Sequence, residues 1–140
     1  MTPLVALLFL AASAWAQAPA LTLAAQRDSV GVGDTLEVRV RVDARGRMLT
    51  SASAVVALAR GVFAPLSEMP FAAGDFLPGQ PYDNAAVADG DEWRLSYVAV
   101  SGTAAEGGRL AATGQGELAR FWVRAVAPAN GAILRLEGAG

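Results

Sequence analysis

The sequence predicts an all-β protein, a two-sheet antiparallel sandwich. Three observations carry that expectation. The stretch Val30 to Asp43 opens on a glycine turn and then alternates strictly. Leu36, Val38, Val40 and Val42 fall on one side, and Glu37, Arg39, Arg41 and Asp43 on the other. That is the period of a strand with one buried and one wet face. A helix would set Leu36 and Val38 about 200° apart, on different faces. Further short apolar runs follow, separated by Gly, Pro, Asn and Asp. After residue 16 no run has a convincing helical period.

The elements follow in order. Residues 1–16 read as a secretory leader: an apolar run from Leu4 to Ala12, then Ala14-Trp15-Ala16 before Gln17. The run is too short to span a bilayer comfortably, so cleavage is favoured over an uncleaved anchor. No cysteine follows it, which excludes a lipoprotein-type anchor. Residues 17–140 are then one exported domain, with no membrane insertion once the leader is gone. Leu21-Thr22-Leu23 reads as a short strand. The alternating stretch to Asp43 comes next, and a charged loop with Gly46 ends it.

Ser51 to Ala59 is read as a strand. Ala52, Ala54, Val56 and Leu58 share one face, and the other face is also apolar, so both faces are expected to be covered. Its alanines favour a helix; the Val55-Val56 pair and the Gly61 and Pro65 that follow favour a strand. Gly61 to Ala88 is read as irregular, because Pro65, Pro70, Pro78 and Pro81 leave no room for a long element. Its aromatic content suits a loop packed over the end of the core, or a lid. Residues 88–92 read as a turn. In Trp93 to Val100, Trp93, Leu95, Tyr97 and Ala99 form the core face. Residues 101–116 read as a flexible connection with a short strand near Leu110. Glu117 to Val126 is a strand, Asn130-Gly131 a tight turn, and Ile133 to Glu137 the last strand. The chain stops at Gly138-Ala139-Gly140 without a terminal cap, the pattern of a domain truncated there or running on into a linker.

Composition excludes most catalysis. The 140 residues hold no His and no Cys, and all 11 basic residues are Arg. Without them there is no imidazole base, no thiol nucleophile, no Schiff-base lysine and no ordinary zinc or copper site. A carboxylate pair of glycosidase type is the remaining route, and most of the 13 acids sit at turns or on wet faces. The reading is therefore no enzyme and no cofactor. A net charge of −2 offers no footprint for nucleic acid. Export without cysteine points to a secreted, periplasmic or cell-surface protein.

Two groups stand out as candidate sites. In the strand from Glu117, the core face is Ala119, Phe121, Val123 and Ala125. Trp122 therefore points outward between Arg120 and Arg124. An outward Trp flanked by guanidinium groups suits a protein-binding hot spot or a sugar-stacking platform. The plainer alternative tucks Trp122 beneath neighbouring side chains. Asp89, Asp91 and Glu92 offer oxygen ligands that could hold Ca2+, against the simpler reading of a solvated hairpin turn.

The order of motifs resembles a cohesin domain. Gly33-Asp34 opens an early strand, Gly74-Asp75-Phe76-Leu77 closes the segment after a small-residue strand, and Gly114-Gln115-Gly116-Glu117-Leu118 starts the penultimate strand. The likeness runs from about Leu21 to Leu136. It implies a jelly-roll topology of about eight to nine strands, related to carbohydrate-binding modules. It also implies a non-catalytic protein–protein module whose partner is dockerin-like, with a role in surface assembly. Where the family commonly has Tyr-Asp-Pro, this chain has Ala59-Arg60-Gly61. Its outer faces also lack the Asn/Asp pattern of dockerin binding, so no family binding residue is transferred. Polysaccharide binding and a passive spacer are the alternatives. The first needs a coplanar row of exposed aromatics drawn from Tyr82, Trp93, Tyr97 and Trp122.

Overall fold

Leu36, Val38, Val40 and Val42 are all buried, so the face that the alternation defines is the core face. The computed structural model describes residues 4–10, 19–27, 29–78, 81–100 and 112–139. Eleven strands lie among them: β1 (Leu4–Leu10), β2 (Ala20–Ala25), β3 (Ser29–Gly31), β4 (Thr35–Asp43), β5 (Ser51–Ala59), β6 (Phe63–Pro65), β7 (Phe71–Ala73), β8 (Asp83–Asp89), β9 (Glu92–Val100), β10 (Gln115–Ala125) and β11 (Ala129–Ala139). Sheet A has the order β3-β1-β11-β5-β9-β8, and sheet B the order β2-β4-β10-β6, with β7 also on β10. The chain passes repeatedly from one sheet to the other, in the jelly-roll manner, and the two sheets close on one core. Pairing is antiparallel throughout the described residues except between β1 and β11.

β10 is the spine of sheet B. One edge takes β4 along its length. The other takes β7 at Ala119 to Phe121 and β6 at Val123 to Ala125, which together act as one interrupted strand. Near its start β10 bulges. Glu117 faces Arg41 and Ala119 faces Val40, so Leu118 is the extra residue. A bulge breaks the two-residue period, which lets Leu118 and Ala119 both turn inward and brings Glu117 to the face that carries Arg120.

The core joins the sheets through aromatic contacts. The Phe71 ring lies 5.1 Å from Phe121 within sheet B and 5.2 Å from Tyr97 in sheet A. The Asn84 side chain of β8 gives Phe71 a partner where no strand does. Its Oδ1 accepts from the Phe71 amide at 3.0 Å, and its Nδ2 donates to the Phe71 carbonyl at 2.8 Å.

Four readings are corrected or extended. The segment 61–88 is not irregular throughout: it carries β6, β7 and β8. The proline spacing excludes long elements but leaves room for three-residue strands, and β8 lies at a sheet edge, where little apolar alternation is required. Asn130-Gly131 is not a turn. β11 runs through it, and the pairing with β1 shifts there, from Val5 on Ala129 to Leu7 on Ala132, so the dipeptide is a bulge inside a strand. Eleven strands lie among the described residues where eight or nine are expected, because β1 falls within the segment read from the sequence as a leader and β3, β6 and β7 are short. In the full chain Leu4–Leu10 pairs with β3 and β11. The expected strand near Leu110 and the 101–111 part of the connection lie outside the described residues.

Candidate functional site

The outer face of sheet B is built by the bulge and by the register that follows it. Across from β4, Glu117 faces Arg41, Arg120 faces Arg39, Trp122 faces Glu37 and Arg124 faces Thr35. On both flanks the partners are small. Arg39 and Arg41 neighbour Ala24 and Thr22 of β2, while Arg120 and Arg124 neighbour Ala72 and Ala64. Long charged side chains and one indole therefore form a central ridge between two low borders.

Arg120 directly opposite Arg39 is a like-charge pair, which a sheet disfavours. Two carboxylates compensate. Arg120 Nη2 reaches Glu117 Oε2 at 2.7 Å and its Nη1 reaches Glu37 Oε1 at 3.3 Å. Arg39 Nε stands 3.3 Å from Glu37 Oε1 and 3.4 Å from Glu117 Oε1. The four groups close a ring in which each arginine touches both acids. The acids are the sunken members, with side chains 17 % and 10 % exposed for Glu37 and Glu117, against 47 % for Arg39. The hydrogen bond from Arg120 to Glu117 is the chief reason that its guanidinium holds its proton even more firmly than usual, with Glu37 and Asp75 adding to the effect. Glu117 Oε1 is buried and accepts no hydrogen bond.

Beside this ring lies an open cleft of about 640 Å3, lined by Arg39, Arg41, Gln115, Asp75, Glu117 and Arg120 among others. Its far wall comes from the segment that carries Ala73, Gly74, Asp75 and Pro78. Gly74 donates its amide to the Leu118 carbonyl at 2.9 Å and Phe76 to the Glu117 carbonyl at 3.0 Å. A Cβ on Gly74 would collide with the Glu117 carbonyl oxygen, and one on Gly116 would press on the Phe76 ring. The two glycine motifs, some forty residues apart in the chain, thus interlock because neither has a side chain in the way. The third motif reaches the opposite end of the same strand: Gly33 donates to the Ala125 carbonyl at 2.7 Å, and the Ala125 amide donates to the Asp34 carbonyl at 3.0 Å.

The predicted site residues fall out as follows. Arg120, Trp122 and Arg124 share the outer face, as their alternation requires. Arg124 is exposed, Trp122 is half-buried, and Arg120 is committed to Glu117 and Glu37. Sequence reasoning missed Glu37, Arg39 and Glu117 as members of the site. The signal was present in the adjacent apolar pair Leu118-Ala119, which breaks a period-2 run and so marks a bulge.

Asp89, Asp91 and Glu92 do not converge. Asp89 pairs with Arg94 at 2.7 Å, Glu92 pairs with Arg135 at 3.2 Å, and no group of acids able to hold a metal ion occurs among the described residues. The four large aromatics do not share a plane either. Tyr97 is buried, Trp93 is partly buried beneath the Arg60 guanidinium, and exposed Tyr82 joins sheet A through its amide on Val98, away from Trp122 on sheet B.

No protein-family model and no curated protein matches the chain. Among solved structures it is similar to a non-cellulosomal cohesin from the hyperthermophilic archaeon Archaeoglobus fulgidus, at a TM-score of 0.38 and 13 % identity, over 75 % of this chain and 81 % of that chain.

Proposed function

We propose that this chain is a non-catalytic, exported module that binds another protein through the outer face of sheet B. The observation that carries the reading is Trp122, set between Arg120 and Arg124 at the centre of that face with small residues on both borders. Large amphipathic side chains on a preformed surface are the usual anchors of protein interfaces. The absence of His, Cys and Lys from the whole sequence supports a non-catalytic role. The leader pattern before Gln17 supports export, with cleavage after Ala16 leaving residues 17–140 at the cell surface, in the periplasm or in the medium. The motif order supports a dockerin-like partner. In such a pair the calcium would belong to the partner.

The test is a capture experiment. The purified protein is immobilised and exposed to secreted and envelope proteins of its source, with Ca2+ and again with EDTA. A retained protein that EDTA releases supports a dockerin-like partner. Retention under both conditions keeps the protein-binding reading and removes the dockerin analogy. Retention of nothing counts against protein binding. Trp122→Ala is expected to weaken capture by about 2 kcal/mol; unchanged affinity would move the binding site off this face. Polysaccharide binding is the weaker reading, because exposed Tyr82 and half-buried Trp122 lie on different sheets.

A further inference from the structure

We infer that the partner surface docking on sheet B is an extended, acidic polypeptide segment. The inference rests on the reading of that face as the binding face and adds the chemistry of what binds there.

The whole chain carries a net charge of −2, yet along the ridge the arginines stand further out than the acids, with the Arg39 side chain 47 % exposed against 17 % for Glu37 and 10 % for Glu117. The two acids of the ridge itself are already used. Glu37 and Glu117 are sunken and paired with Arg39 and Arg120. Asp75 accepts from the Glu117 amide at 3.4 Å. Asp43 accepts from the Arg45 amide at 2.9 Å and from Gln115 Nε2 at 3.3 Å. The arginines are not used up to the same degree. Arg41 and Arg124 are exposed and make no ion pair or side-chain hydrogen bond among the described residues. Arg39 gives only its Nε to the ring, which leaves the donors of its terminal nitrogens for a ligand. What the face offers outward is therefore a set of guanidinium donors, which match carboxylates in geometry as well as charge.

The spacing selects an extended polypeptide. Arg39 and Arg41 are alternate residues of one strand, so they recur at the two-residue strand repeat, roughly 6.8 Å. A second extended chain with acidic residues at every other position has the same repeat. From the level of Arg41 to that of Thr35, which faces Arg124, is six residues, roughly 20 Å. A segment of about seven residues covers that span. Trp122 lies beside its path with an apolar surface, and the borders of Ala24, Ala64 and Ala72 leave it room.

The test uses the full chain and immobilised poly-L-glutamate at low salt, with polygalacturonate as the polysaccharide comparison. The wild type is expected to bind poly-L-glutamate. The double variant Arg41→Glu/Arg124→Glu is expected to lose at least about tenfold in affinity. Arg47→Glu, an exposed loop residue, is expected to stay within about twofold. Amide shifts of the unmodified protein on adding poly-L-glutamate provide a readout that does not depend on the variant folding. They are expected to cluster on β4 and β10 and to spare β8 and β9. No binding, an equal loss with Arg47→Glu, shifts centred on sheet A, or preference for polygalacturonate would each overturn the inference. The two levels separate cleanly: a captured protein partner whose binding ignores Arg41→Glu/Arg124→Glu overturns the acidic-segment inference and leaves the protein-binding module standing.

Discussion

Two residues show how differently buried polar atoms can be managed in this fold. Glu117 is sunken but shares its charge with Arg39 and Arg120, so its cost is offset by ion pairing and by the relief of a like-charge pair. Tyr97 has no such partner. Its ring is fully buried against Phe71, and its hydroxyl makes no hydrogen bond. Burial pushes its phenol above the ordinary value of 10.0. The unfolded chain therefore releases this proton first. Stability from this group is intact below pH 10 and falls as pH rises above it, because there the unfolded state binds fewer protons than the folded one. Tyr97→Phe removes both the unpartnered hydroxyl and this ionisation. The variant is expected to be as stable as the wild type or more so by about 1 kcal/mol at neutral pH, and to lose less stability above pH 10. Urea denaturation at pH 7 and at alkaline pH measures both; a marked loss at pH 7 would show that the hydroxyl has a partner.

At the scale of elements, β10 is held at both ends by turns from distant parts of the chain. The Gly74 segment closes its start and the Gly33-Asp34 turn closes its end. Between those clamps the bulge fixes which side chains face outward. Gly74→Ala is therefore expected to destabilise the fold by about 1–3 kcal/mol, because the added methyl meets backbone rather than a side chain that could move. Thermal denaturation reads the loss, and amide shifts are expected to concentrate at residues 116–118. A neutral substitution would mean that the two segments approach less closely than they do here. Much of this level was legible in advance. β4, β5, β9 and β10 have strong alternation or β-branched content, and their core faces follow from it, apart from Leu118, which the bulge turns inward, and Trp93, which is only partly buried. β6, β7 and β8 were not legible, because three-residue strands and an edge strand bury too little to leave a periodic trace. Asn130-Gly131 misled because a dipeptide that favours hairpin turns can also be absorbed as a bulge when a neighbouring strand, here β1, keeps the chain extended on either side of it.

For the molecule as a whole, the expectation of a cleaved leader bears on the edge of sheet A. In the full chain Leu4–Leu10 lies between β3 and β11 of sheet A. If the chain is cleaved after Ala16, β3 loses its partner in sheet A and β11 keeps only β5. A chain starting at Gln17 is expected to fold, since the core of sheet B and of strands β5, β9 and β8 does not depend on β1 for pairing. Its amide hydrogen exchange is expected to be faster along β3 and on the β1-facing edge of β11, and unchanged along β4 and β10. Hydrogen exchange on the two forms measures this. Equal protection in both would show that β3 and β11 find other partners once β1 is gone.

The sequence by itself determined the all-β class, strands β4, β5, β9 and β10 and, outside the bulge of β10, the direction in which their alternating side chains point. These follow from a two-residue period that local geometry enforces wherever one face is buried. It also determined which side-chain types the chain lacks, His, Cys and Lys among them. Only the tertiary structure decided what the outward face of β10 is made of. The bulge at Leu118, the register of β10 on β4 and the approach of Gly74 to Glu117 are contacts between segments far apart in the chain. They turn Trp122 and its two arginines from an isolated triplet into part of a charged ridge, with its acids sunken and its guanidinium groups outward.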